Sequence, residues 1–155
     1  MQWESRNLNV GRIKYMICHE KEILDAVEEA KFAPRGHTGG APSGHSFISD
    51  PTAGEAIRRA EELPAVEIEG GCKVVWPERW LKVVSAVRAW CLQDDAAQEI
   101  YRCVISCRDW LPRSERRRRR DEICRRVHIE RSKFYRTQDA IFMFAEGFAK
   151  ANDLL

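Results

Sequence analysis

The chain has 155 residues, 44% of them apolar and 32% charged, enough for one compact domain or two very small ones. No apolar run approaches the roughly 18 residues a membrane span needs. The opening Met1-Gln2-Trp3-Glu4-Ser5-Arg6 has no apolar signal core behind it, so no membrane role and a cytoplasmic location are expected. The net charge of +2 hides an asymmetry: Arg113 to Arg136 holds 11 basic and 4 acidic residues, a local +7, while the other 131 residues carry a net −5. A basic patch on a mildly acidic body points towards nucleic acid.

In chain order, Ile13, Ile17, Leu24, Val27 and Ala30 recur at helical spacing and predict one helix over 11–33, stopped by Pro34. Pro34 to Ser49 holds four of the nine glycines and two of the six prolines, with little to pack. It reads as a flexible Gly/Ser/Pro linker containing His37 and His45. Asp50 is placed to cap a second helix, with Pro51 at its first position and an end near Leu63. Val66–Glu69 and Lys73–Trp76 flank Gly70-Gly71, a candidate short β-hairpin.

Pro77 starts a third helix whose stripe is Trp80, Val83, Val84, Val87, Trp90 and Cys91. Asp94 or Asp95 caps a fourth, with Gln98 completing a capping box on Asp95. Its stripe is Ile100, Val104, Cys107 and Leu111, and Pro112 ends it. Ser114 is placed to cap a fifth helix reaching about Val127. After the turn His128-Ile129-Glu130, a sixth runs from Arg131 to about Asn152.

The strongest functional pattern lies within 120–139. A helix-turn-helix needs a small residue where the helices cross, an apolar residue closing the first helix and an apolar anchor in the second. Cys124, Val127 and Phe134 fill these places, and Ile129 plugs the turn. The turn position where Gly is commonest holds His128. Arg131, Ser132, Tyr135 and Arg136 are left on the open face of the second helix, donor-rich side chains suited to base edges in a major groove. Arg116, Arg117, Arg118, Arg119, Arg120 and Lys133 are the candidates for phosphate contact. Five successive helical residues cover roughly 400°, so some of the arginine run must remain solvated.

The stretch from Ile123 through Cys124-Arg125-Arg126-Val127-His128-Ile129-Glu130-Arg131-Ser132-Lys133-Phe134-Tyr135 to Arg136 resembles the C-terminal helix-turn-helix of RinA/ArpU-type phage transcriptional regulators. Ser49-Asp50-Pro51-Thr52-Ala53 and Pro77-Glu78-Arg79-Trp80-Leu81-Lys82-Val83-Val84 resemble the stretch after that family's first helix and its central helix. The resemblance implies a sigma-factor-like DNA-binding unit, activation of phage or prophage late transcription, and host RNA polymerase as a candidate partner. The family usually has Ser where this chain has Glu130. An acid there can cap the helix but repels a nearby phosphate.

The expected fold is mainly α. It comprises an N-terminal helix (1–33), the linker (34–49) and a helical DNA-binding region (50–155) with its helix-turn-helix at about 115–152. Duplex DNA is the expected partner. Rival readings are a small terminase-type packaging protein, an arginine-rich RNA-binding antiterminator and a protein-interaction adaptor. The apolar final helix, with Phe134, Ile141, Phe142, Phe144, Ala145, Phe148 and Ala149, serves an internal core or a homodimer seam. The cysteines at 18, 72, 91, 103, 107 and 124 include no C-x-x-C pair, and no phosphate-binding loop opens a helix after a strand. No enzyme, metal or cofactor is expected.

Overall fold

The expected helix over 11–33 is two helices in the computed structural model, which describes residues 2–32, 51–107 and 111–155. Helix α1 spans Gln2–Cys18 and α2 spans Glu20–Phe32. At the break the His19 ring stacks on Tyr15, centroids 4.0 Å apart, and its Nδ1 lies 2.9 Å from the Tyr15 carbonyl oxygen. The break rotates the buried stripe. Ile13 and Ile17 are buried on α1, but Ile23 and Val27 follow on α2, leaving Leu24 exposed. The expected linker Pro34–Ser49 and the expected cap Asp50 lie outside the described residues.

The chain divides into two compact units, one of residues 22–78 and one of residues 1–21 with 79–155. These boundaries fall at neither end of the expected linker. In the first unit, helix α3 (Pro51–Ala60) begins at Pro51, as expected for a residue whose fixed φ suits the first turn, and ends before Leu63. Strands β1 (Ala65–Ile68) and β2 (Cys72–Val75) form the expected hairpin, antiparallel with Val66 opposite Val74 and Glu67 opposite Lys73. Val66, Ile68 and Val74 are buried, while Glu67 and Lys73 face outward as an opposite-charge pair. Gly70 and Gly71 turn the chain with φ of +86° and +74°, values that cost side chain-bearing residues most. Glu78 accepts from the Leu63 amide at 2.8 Å and pairs with Lys31.

The second unit is all helical among the described residues. Helix α4 (Pro77–Cys91) buries Trp80, Val83, Val84, Val87 and Cys91, most of its expected stripe. Trp90 stacks on Phe144 at 5.4 Å. Helix α5 (Asp95–Ile100) is capped by Asp94, whose Oδ2 accepts from the Ala97 amide at 2.9 Å. The capping box expected on Asp95 is therefore not the cap used. The helix then widens into a π-helical turn, Tyr101–Ile105, closed by the Ser106 amide donating to the Tyr101 carbonyl at 2.9 Å. This wider turn shifts the stripe by one residue: Ile105 is buried, and Val104 is only half-buried.

Helix α6 spans Arg113–Arg126 and α7 spans Arg131–Ala151. Ser114 does not cap α6, because the helix already begins at Arg113 after Pro112. Helix α7 buries Phe134, Ile141, Phe142, Ala145 and Ala149, packing against α1, α5 and α6. Of the residues named for a dimer seam, only Phe144 and Phe148 remain half-buried. Neighbouring Met143 is exposed. Among the described residues no helix is long and apolar enough to cross a membrane.

Candidate nucleic-acid interface

The residues expected at the helix crossing lie at the junction of α6 and α7. Ile123, Cys124 and Phe134 are buried, and Val127 and Ile129 are half-buried in the turn. The Ile129 amide donates to the Cys124 carbonyl at 3.0 Å, the long closing bond of a Schellman-type helix end. That closure needs a left-handed residue, and His128 supplies it with φ of +54° despite carrying a side chain. Glu130 stands at the cap position of α7 but makes no side-chain cap bond. Its carboxylate instead accepts from the Ser132 hydroxyl at 3.4 Å.

The four residues expected to read bases are exposed at the start of α7, but they do not form one free surface. Arg131 Nη2 lies 3.2 Å from Asp121 Oδ2, although its side chain remains 67% exposed. Arg136 donates to the Ser132 hydroxyl and carbonyl, both at 3.4 Å. The Tyr135 hydroxyl accepts from Arg120 Nη1 at 2.6 Å. Lys133 and Arg136 lie beside Trp90 and Asp94 in one groove, and Arg131 and Ser132 flank another with Arg125 and Glu130. Tyr135 belongs to a third concavity, together with much of the arginine run.

That run also separates by role. Arg119 Nη1 donates to Cys107 Sγ at 2.9 Å and to the Cys103 carbonyl at 3.5 Å. Arg120 is 13% exposed and bonded to Asp121 as well as Tyr135. Arg117 and Arg118 are exposed and meet no carboxylate among the described residues. Arg116 is exposed as well. The hydrogen bond from Arg120 holds the Asp121 carboxyl below its usual range; desolvation opposes this, and the charge of Arg131 adds to it. Arg126 bridges Glu99 and Glu122 at 2.8 and 2.9 Å. Burial raises the affinity of Glu99 for protons, but its bonds to Arg102 and Arg126 outweigh that and keep it low.

Sequence reasoning missed Lys14 and Gln138, which line the concavity beside Tyr135, and the Trp90–Asp94 wall beside Arg136. Lys14 reaches the site from α1 through tertiary packing, which no local pattern announces. Among the described residues no group of three His, Cys, Asp or Glu side chains is arranged to hold a metal ion. His37 and His45 lie outside those residues. No family model, no curated protein and no solved structure matches this chain.

Proposed function

We propose that the chain is a sequence-specific DNA-binding regulator in which α6, the turn 127–130 and α7 act as a helix-turn-helix. The observation that carries this reading is a single juxtaposition. A short turn with a left-handed His128 joins two helices over a small core, and the leading turns of the second helix expose Arg131, Ser132 and Arg136. These side chains offer the forked and hydroxyl donors that base edges accept. Arg117, Arg118 and Lys133, exposed nearby, supply sequence-independent attraction to phosphates.

Two contacts have to be exchanged on binding. Arg131 leaves Asp121, and Tyr135 trades its bond from Arg120 for one to DNA or stays as a brace between the helices. The resemblance to RinA/ArpU-type regulators extends the proposal to activation of phage or prophage late transcription, with host RNA polymerase as partner. Pairing through Phe144, Phe148 and Met143 would place two recognition helices on half-sites about one DNA turn apart.

Selection of bound sequences from a random duplex pool tests the proposal. A discrete enriched motif is the expected result, and an inverted repeat within it supports the dimer. A pool that stays random, with tight binding to structured RNA instead, would replace this reading with the antiterminator. A ring-shaped oligomer in light scattering would favour DNA packaging.

A further inference from the structure

Helix α6 does not turn all of its arginines towards one surface. Arg113, Arg116, Arg117, Arg119 and Arg120 line a cleft of about 400 Å³, joined from α1 by Lys14. No carboxylate among the described residues lines it; outside the lining, Asp121 offsets the charge of Arg120 and Glu115 acts on that of Arg119. Like charges held around one concavity repel, most strongly where solvent is thin, and an anion seated among them reverses the sign of that energy. Two of the donors are already fixed in place. Arg119 is tied to Cys107 and the Cys103 carbonyl, and Arg120 to Asp121 and Tyr135. Guanidinium forks held in place by such bonds are suited to the oxygens of a phosphate.

The rest of the cleft is of another kind. Val104 and Leu111, both half-buried, give it an apolar floor beside the Tyr135 ring and the Gln138 amide. A bare inorganic anion gains nothing from such a floor. A ligand with an apolar, planar body and a polyphosphate tail uses both halves, and the volume lies within the ~300–1,000 Å³ of small-molecule sites. We infer that this cleft binds a nucleoside polyphosphate, its phosphates on the arginine wall and its base against Val104, Leu111 and Tyr135, with Gln138 within the site to bond the base edge. This site needs no DNA and stands independently of the regulator reading. If both hold, the nucleotide and the duplex compete for Arg117.

Calorimetric titration of the full chain with ATP, tripolyphosphate and adenosine, at fixed salt and without divalent metal, tests it. ATP should bind one to one and about tenfold or more tighter than tripolyphosphate, whose charge is similar but which lacks the base. Adenosine should not bind measurably. Equal binding of ATP and tripolyphosphate, or no binding of ATP, overturns the inference. The double variant R113Q/R117Q, at exposed positions on the cleft wall, should weaken ATP by about tenfold or more. R118Q/R125Q removes the same charge from positions on α6 outside the cleft and should change ATP affinity by no more than about twofold. Equal losses in the two variants would mean a diffuse field rather than a site, and would overturn it as well.

Discussion

Helices α6 and α7 meet at a single short turn, yet they are held to the protein in opposite ways. Along Arg113–Arg126 only Ile123 and Cys124 are buried, whereas α7 buries five residues from Phe134 to Ala149. Polar bonds do for α6 what apolar area does for α7: Arg119 reaches Cys107, Arg120 reaches Tyr135, and Arg126 reaches Glu99. A run of arginine is therefore not one functional unit. Some of its members are bonded to the rest of the protein, whereas Arg117 and Arg118 meet no carboxylate among the described residues.

The largest effect that can break this comparison is a truncation in α7. Ile141 is fully buried, and Ile141→Ala should cost about 2–5 kcal/mol in denaturant unfolding, from lost transfer energy plus a cavity. Arg126→Gln, which cuts an exposed ion-pair cluster on α6, should cost about 1 kcal/mol or less. Comparable losses would show that the polar bonds of α6 carry as much stability as the apolar stripe of α7.

A second test separates Arg117 and Arg118 from the arginines proposed to read bases. Arg131→Ala or Arg136→Ala should lose about 1–3 kcal/mol of discrimination between selected and random duplexes, if either reads a base bidentately. R117Q/R118Q should weaken both duplexes alike and lower the slope of log K against log salt by about 0.9 for each phosphate contact removed. Unchanged specificity in both alanine variants would move base reading to another face. An unchanged salt slope in R117Q/R118Q would take that pair out of the interface.

The turn between the two helices offers the next effect. His128 holds a left-handed φ of +54°, which a β-branched side chain tolerates poorly. His128→Val should cost about 1–2 kcal/mol, and His128→Gly should be neutral or slightly stabilising, because glycine enters this region freely. Equal losses for both would show that the imidazole itself, rather than the backbone, holds the turn.

These contrasts also explain what the sequence made legible. Apolar spacing located the buried stripe of α4 and most of that of α7, because residues such as Trp80, Val87, Ile141 and Ala145 repeat with the helix period. Gly70-Gly71 marked the hairpin because its turn needs positive φ. The break at His19 was hidden, since every residue around it is compatible with a helix and the ring stack found there leaves no local signal. The exchange of Val104 for Ile105 in the core was hidden too, because one widened turn rewrites the register without any composition signal. For the candidate site, charge and spacing pointed to the region. They did not show which arginines are bound and which are free, because those partners come from Cys103, Cys107, Asp121 and Tyr135 through tertiary contacts.

The smallest expected effect concerns the link between the two helices. Asp121 on α6 accepts from Arg120 and reaches Arg131, the first residue of α7. Its carboxyl is held below its ordinary value of 3.8 chiefly by the Arg120 hydrogen bond. A folded carboxylate with a depressed pKa contributes stability that is present above the unfolded value and lost as the pH falls through the folded one. Wild-type stability should therefore decline as the pH falls below about 4, and Asp121→Asn should make that decline shallower. It should not abolish it, because Glu99 is depressed in the same direction by Arg102 and Arg126. At neutral pH the same variant frees Arg131 and removes a negative charge from its side, so duplex affinity should rise a few-fold. An acid limb as steep as wild type would show that Asp121 does not couple the helices. Unchanged duplex affinity in a variant whose acid limb does change would show that Arg131 meets no DNA phosphate or base, leaving recognition to Ser132 and Arg136.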